Sequence, residues 1–206
     1  MSVGTDYNLS LRARSANVSY MSELKTLIAS LLRARFADAI LEISEFRGEV
    51  TARIKREKVV SICQFLRDEP RLGFNLLSDV TAVDYLLLGI MPRFDVVYHL
   101  FSLTYFHRLR LKTAVPEDDP VIDSVIPVWG TANYHERETF DFFGIIFKNH
   151  PNLTRILMPE DWEGYPLRKD FPLGGVKSFY FKRSTDPHAG EPKDLIPRIR
   201  IQKGDV

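Results

Sequence analysis

Residues 74–114 read FNLLSDVTAVDYLLLGIMPRFDVVYHLFSLTYFHRLRLKTA. The stretch divides into three strand-like runs, Phe74–Leu88, Phe94–Leu103 and Phe106–Ala114. They are rich in β-branched and aromatic residues and are joined by short connections, which favours an antiparallel meander. Two more runs lie upstream, Ala39–Phe46 and Glu49–Lys55, facing each other across a tight turn at Arg47-Gly48. In the first run one face carries Leu41, Ile43 and Glu45 and the other Ile40, Glu42, Ser44 and Phe46, so neither is cleanly apolar and the buried side stays open. Helical spacing predicts a helix over Ser22–Arg35, with Leu24, Leu27, Ile28, Leu31 and Leu32 on its stripe. A second is predicted over Glu57–Asp68, where Val59, Ile62, Cys63 and Leu66 share a stripe that ends before Pro70. The order α-β-β-α-β-β-β predicts a two-layer α+β domain over residues 21–144, with a mostly antiparallel sheet and helices on one face. The polar, Ser-rich residues 1–20 read as a flexible N-terminus.

A third helical region is expected from Asp123 or Ser124 to about Phe143, interrupted near its start by Pro127 and Gly130. With Trp129 as origin and about 100° per residue, Ala132, Asn133, Glu136, Phe140 and Phe143 share its face, while Arg137, Glu138 and Asp141 point elsewhere. Glu136 thus sits in an aromatic stripe, where a carboxylate is costly unless paired. Either it is buried against Arg155 or Arg168, or Gly130 shifts the helix start and brings Glu136 to the rim. After Gly144 the pattern dissolves. Residues 145–206 hold seven of the twelve prolines, yet also Phe147, Trp162, Tyr165, Phe171 and Phe179–Phe181. A Pro-rich segment cannot build its own ladder, and a disordered tail is poor in aromatics. An extended arm buried on some surface is expected. Composition leaves open whether that surface belongs to another chain or to this one.

Composition narrows the function. The formal net charge is +1, which draws neither nucleic acid nor an anionic membrane. The longest apolar run, Tyr85–Met91, is far short of the roughly 20 residues of a membrane helix, and no signal-peptide pattern follows Arg12 and Arg14. The single cysteine, Cys63, excludes a self-held iron–sulfur cluster and a disulfide framework, and reads as a core thiol. His135 and Glu138 are spaced i, i+3, but a carboxylate-bridged metal site needs a second such helix. His99 and His107 read as packed or exposed strand residues, and His150, before Pro151, as a backbone-bonding turn residue. Leu173-Gly-Gly-Val176 lacks the context of a phosphate loop, and no Gly-x-Ser-x-Gly elbow is present. Basic residues among aromatics in Phe106–Arg110 and Phe179–Arg183 leave single-stranded RNA stacking as a minor reading.

One stretch carries more. Residues 129–157 read WGTANYHERETFDFFGIIFKNHPNLTRIL, and residues 162–173 read WEGYPLRKDFPL. The coupling of Glu136-Arg137-Glu138, Asp141, Phe143-Gly144, His150-Pro151, Arg155-Ile156-Leu157 and Pro166–Pro172 closely resembles the 30-kDa (C-type) subunit family of respiratory complex I. Thr154 departs from it, since the family often has a basic residue there. The resemblance implies a structural subunit of the peripheral arm of a proton-translocating NADH:quinone oxidoreductase, without catalytic, cofactor-binding or metal residues of its own. FMN and iron–sulfur clusters would lie in partner subunits. The C-terminal arm would lie along the 49-kDa-type quinone-site subunit, beside cluster-bearing neighbours. Membrane association would be indirect, on the cytoplasmic side of a bacterial plasma membrane. It suggests Glu136, Arg137, Glu138, Asp141, Phe143, His150, Arg155, Pro166, Leu167, Arg168, Lys169, Asp170 and Phe171 as a partner interface. An equivalent subunit of a membrane-bound hydrogenase or of a ferredoxin-dependent quinone oxidoreductase is the alternative.

Overall fold

The computed structural model describes residue 20 and residues 22–172. The expectations for residues 1–19 and 173–206, including Phe179–Arg183 and His188, lie outside the described residues. The fold is α+β, as the sequence predicts. Helix α1 (residues 22–36) buries Leu24, Ile28 and Leu32, one residue per turn of a single stripe. A hairpin follows, β1 (Ile40–Phe46) and β2 (Glu49–Ile54), turning at Arg47 and Gly48, both with positive φ. Helix α2 (Val59–Asp68) buries the predicted stripe of Val59, Ile62, Cys63 and Leu66. Strands β3 (Leu76–Asp84), β4 (Phe94–Phe101) and β5 (Arg108–Val115) complete the main sheet. One core cluster joins the sheet to residues of all three helices.

The sheet order is β1-β2-β5-β4-β3, with β2 and β5 parallel and every other pair antiparallel. The expected meander holds for β3-β4-β5, but β5 is an interior strand. Its alternate residues Leu109, Leu111, Thr113 and Val115 are buried, and β2 satisfies the backbone edge a meander would leave open. Register keeps one face apolar across the sheet: Ala52, Leu111, Tyr98 and Val80 lie in line. Irregularities make this possible. A register shift between Ile40 and Glu42 puts Ile40 opposite Ile54 and Ile43 opposite Ala52, so both isoleucines pack on the core. That extra residue is why neither face of this run looks apolar under a strict period of two.

The run expected to continue as strand to Leu88 stops at Asp84. The Tyr85 N–H donates to the Arg93 carbonyl at 2.9 Å, a 3-10 turn spans Leu86–Leu88, and Gly89 adopts φ +63°. Leu87, Leu88 and Met91 project into solvent. The third helix also departs from expectation. Asp123 does not open it but ends a short strand, β6 (Val121–Asp123). Linked turns follow, with Trp129 N–H donating to the Val125 carbonyl, and α3 runs over Ala132–Phe143. A further strand, β7 (Ile146–Lys148), pairs parallel with β6. The short β-α-β unit therefore spans the boundary at Gly144, beyond which no regular pattern was expected.

Tyr98 lies on the core face of β4, and its buried hydroxyl has no hydrogen-bond partner among the described residues. Deleting an unsatisfied buried hydroxyl removes a desolvation penalty without losing a bond. Tyr98→Phe is expected to leave stability unchanged or raise it by up to about 1 kcal/mol in urea unfolding. A loss of that size or more would show that the hydroxyl has a partner.

Candidate functional site

The signature residues converge where the C-terminal end of α3 meets residues 150–171. Asp141 is fully buried. Its Oδ2 accepts three successive main-chain N–H groups, from Ile156 (3.1 Å), Leu157 (2.8 Å) and Met158 (2.8 Å), and its Oδ1 accepts Arg155 Nη1 at 2.6 Å. Such a nest of N–H dipoles matches one carboxylate. Burial alone would raise the Asp141 pKa; the Met158 N–H, Arg155 and the other two N–H groups outweigh it and hold the carboxyl below its ordinary value. The other Arg155 nitrogen, Nη2, donates to the carbonyls of Trp162 and Gly164, both at 3.1 Å. Arg137 holds the preceding turn through the Thr154 carbonyl and hydroxyl and the Arg155 carbonyl. His150 Nδ1 accepts the Asn152 N–H at 3.0 Å, so its Nε2 carries the proton donated to the Asn133 carbonyl at 3.1 Å.

The Pro166–Phe171 motif closes a second knot. The Leu167 N–H donates to the Phe142 carbonyl at 3.1 Å, and Arg168 Nε to the Phe143 carbonyl at 2.6 Å. The Arg168 guanidinium lies over the rings of Tyr165 (4.6 Å) and Phe94 (5.2 Å). Asp170 grips Arg93, whose side chain is almost wholly buried, with oxygens 2.7 and 3.0 Å from its nitrogens. Arg93 also forms a two-pronged pair with buried Asp84 (3.0 and 2.8 Å) and a bond to Glu117. The Asp84 carboxylate accepts the N–H groups of Leu86 (2.9 Å) and Lys169 (2.8 Å). Burial opposes the charge on Asp84, but Arg93 and these N–H groups prevail and hold its pKa at about 2.

Gly144 makes the crossing possible. It ends α3 at φ +73°, and an added Cβ would lie 2.5 Å from the Tyr165 ring and 2.8 Å from Arg168 Nη2. Both the left-handed conformation and the close approach require glycine.

The expected ion pair of Glu136 with Arg155 or Arg168 is overturned. Arg155 is committed to Asp141, and Arg168 to the Phe143 carbonyl. Glu136 is fully buried, so it does not reach the rim either. One oxygen accepts the Val125 N–H at 2.7 Å and the other has no hydrogen-bond partner among the described residues. Burial, opposed by the Ser124 hydroxyl and the Val125 N–H, raises its pKa from the ordinary 4.5 to about 7. Helix α3 buries two faces: Ala132, Glu136, Thr139 and Phe143 on the core side, and Asp141 beneath residues 155–158.

Of the thirteen suggested interface residues, Glu136, Asp141 and Phe143 are thus closed off within the chain. Arg137, His150, Arg155, Arg168 and Asp170 make the internal bonds above. Pro166 is half-buried, and Phe171 stacks on Trp162 with centroids 6.1 Å apart. Glu138, Leu167 and Lys169 remain exposed. Sequence reasoning missed Asp84, Arg93 and Glu117. The available signal was a pair of charges, Asp84 and Arg93, at the two ends of an apolar hairpin.

Elsewhere no three His, Cys, Asp or Glu side chains converge as metal ligands among the described residues. His135 Nδ1 and His99 Nδ1 flank Asp79 at 3.7 and 3.6 Å, while Glu138 is exposed. Cys63 is buried, and burial pushes its thiol pKa up. Within Phe106–Arg110, His107 and Leu109 are buried and Arg110 is bonded to Glu49 and His99. A cleft of about 530 Å³ between α1 and α2, lined by Arg35, Phe65 and Asp68, lies apart from both knots. No helix among the described residues is long and apolar enough to cross a membrane.

Comparison with known proteins agrees with these features. The profile of the family described as respiratory-chain NADH dehydrogenase, 30 Kd subunit, matches residues 52–177, from β2 to just past the second knot. The chain belongs to that family, whose members are subunits of an enzyme complex. It is 57% identical over 161 residues to the C-type subunit of the NADH-quinone oxidoreductase of Roseiflexus sp. (strain RS-1), covering 78% of this chain and 91% of that one. The corresponding subunit of Geotalea uraniireducens (strain Rf4) is 56% identical over 144 residues, 70% and 85% of the two chains. Among solved structures, a trypsin-resistant fragment (1–134) of Nqo5 superposes with a TM-score of 0.53 at 34% identity, covering 62% of this chain and 98% of the fragment. A chain of an archaeal respiratory membrane complex, the membrane-bound sulfane sulfur reductase, superposes with a TM-score of 0.60 at 26% identity, covering 73% and 86%.

The two knots and the buried Glu136 can be tested by substitution. Arg93→Leu strands the buried Asp84 carboxylate and should destabilise the chain by about 3–5 kcal/mol in denaturant unfolding; a change under about 1 kcal/mol would mean that the knot is not structural. Glu136 has a raised folded-state pKa, so its contribution is full below pH 4.5 and declines as pH rises toward about 7. Glu136→Gln should flatten stability between those pH values and melt higher than the parent at pH 8; an unaltered pH profile would contradict this.

Proposed function

We propose that the chain is a non-catalytic assembly subunit of the peripheral arm of a proton-translocating NADH:quinone oxidoreductase, docking on the 49-kDa-type subunit through the part of its C-terminal third beyond the knots. The observation that carries this reading is the use to which the signature residues are put. Asp141, Arg155, Asp170 and Arg168 are spent fastening residues 153–171 to the α+β domain. Groups saturated by one another hold a shape and leave no acid, base or nucleophile poised for a substrate. The result is a rigid platform, and residues 173–206, with Phe179–Phe181, are joined to it just after the Asp170–Arg93 pair.

In this reading FMN and the iron–sulfur clusters belong to neighbouring subunits, since one buried cysteine supplies no ligand set. The contribution of this chain is positional: it buries surface between redox-bearing partners and keeps their spacing. It lies on the cytoplasmic side of the membrane and reaches the bilayer only through the complex. No nucleic acid is involved. The likeness to a chain of the archaeal sulfane sulfur reductase favours a second reading, the equivalent subunit of a related membrane-bound complex. The 57% identity over most of a C-type subunit of NADH-quinone oxidoreductase favours the NADH-linked enzyme. NADH-dependent quinone reduction by the complex purified through this chain separates the two.

The docking role is tested by ending the chain after Pro172. This cut spares both knots, whereas a cut at Gly144 would strip Asp141 of Arg155 and its N–H nest. The shortened chain should keep its melting temperature and no longer bring down the 49-kDa-type subunit from cells making the whole enzyme. Undiminished recovery would show that residues 173–206 are not the docking element.

A further inference from the structure

The connection between β3 and β4 is the most conspicuous unexplained surface. Leu86, Leu87, Leu88, Ile90 and Met91 lie within six residues and are 40–77% exposed, with Leu87, Leu88 and Met91 all above 70%. The loop is firmly held at its base: Asp84 accepts the Leu86 N–H, Tyr85 N–H bonds the Arg93 carbonyl, and the Tyr85 hydroxyl bonds Asp95 at 3.0 Å. Asp95 is itself gripped by both terminal nitrogens of Arg53. A tip this apolar, on a stem this well anchored, is presented rather than collapsed. Exposed apolar clusters of this kind mark binding surfaces.

We propose that the Leu86–Met91 loop is a second docking element, a knob that inserts into an apolar recess on another protein subunit of the same enzyme. The inference rests on the assembly reading above. Shape and charge choose this occupant over the others. Residues exposed by more than 70% form a projecting tip, and two copies of a tip related by a two-fold axis bury little on each other; a projection calls for a recess on a different surface. Around the stem Glu117 and Asp170, both on Arg93, are half-exposed and Asp118 beside them is exposed, while the cations are the partly exposed Arg53, spent on Asp95, and Lys169 on the arm. A loop that enters an anionic bilayer is flanked instead by several Lys and Arg. The recess is therefore expected to be apolar inside and to carry basic or N–H donor groups at its rim. The knob and the arm share a foundation, because Leu86 and Lys169 donate to the same Asp84 carboxylate. One partner subunit would thus meet both along a continuous surface.

The test uses the full chain with Leu87→Ser, Leu88→Ser and Met91→Ser together, and Met91→Ser alone, expressed in cells that make the whole enzyme. Both variants should melt with the parent chain, because the altered side chains touch mainly solvent. The triple variant should recover at least about tenfold less of the enzyme's other subunits per mole of chain, and the single variant a smaller share of that loss. Undiminished recovery with the triple variant, while the chain ending at Pro172 fails, would overturn the knob and leave the assembly reading standing. Failure of the parent chain to bring down any subunit would instead sink that reading. Three other results would overturn the knob in favour of another occupant. They are a parent dimer in sedimentation that the triple variant abolishes, loop-dependent binding to phosphatidylglycerol vesicles, and hydrophobic-dye binding at the loop that appears only when residues 173–206 are removed.

Discussion

The buried guanidinium of Arg93 is the point through which the described chain is tied together. It joins Asp84 at the end of β3, its own position at the start of β4, Glu117 after β5 and Asp170 in the C-terminal segment. A charge taken out of water is tolerated only when its donors are matched, and five N–H groups in a planar fork meet three carboxylates here. The pair with Asp84 sets where the β3-β4 hairpin stops. The pair with Asp170 sets where the chain crosses back over the domain. Without it, the Leu86–Met91 stem would keep only Tyr85 and the Arg53–Asp95 pair, and the Pro166–Phe171 motif only the bonds of Leu167 and Arg168 to the end of α3.

Asp141 performs the same service one layer away, with a different inventory. Its partners are three consecutive N–H groups and Arg155, which in turn binds the Trp162 and Gly164 carbonyls. A segment without helix or strand must satisfy its backbone some other way. Here the charged side chains of α3 and of the segment itself replace the missing ladder. That explains how a Pro-rich stretch is held against the domain while many of its apolar side chains remain exposed. Glu136 is the contrasting case: a buried carboxylate with a single N–H donor is held closer to neutrality, near the core of a domain whose other buried carboxylates are well paired.

Much of this was legible in the chain. The helical stripes of α1 and α2 followed from periodicity, because burial on one side of a regular element leaves a regular trace, while the five strands of the main sheet and the α+β class followed from residue type, turn residues and element order. The signature from Glu136 to Phe171 pointed to the family by its residues alone. Other features left no such trace. The register shift in β1 hides its apolar face from a period-two reading. The parallel contact of β2 with β5 depends on a crossover through α2, β3 and β4. Glu136 has no arginine partner because Arg155 and Arg168 meet better-placed acceptors in Asp141 and the Phe143 carbonyl.

The amino-acid sequence by itself determined the first two helices, the strands of the main sheet, the family and the absence of a cysteine ligand set, since these depend on residue type and near-neighbour spacing. Tertiary structure alone decided which carboxylate meets which arginine, which motif residues face inward, and that the most apolar run of the chain is an exposed loop. Those outcomes turn on contacts between residues such as Asp84 and Lys169, far apart in the chain, and long-range pairing is set by how the packed layers close on each other, not by any pattern within a segment.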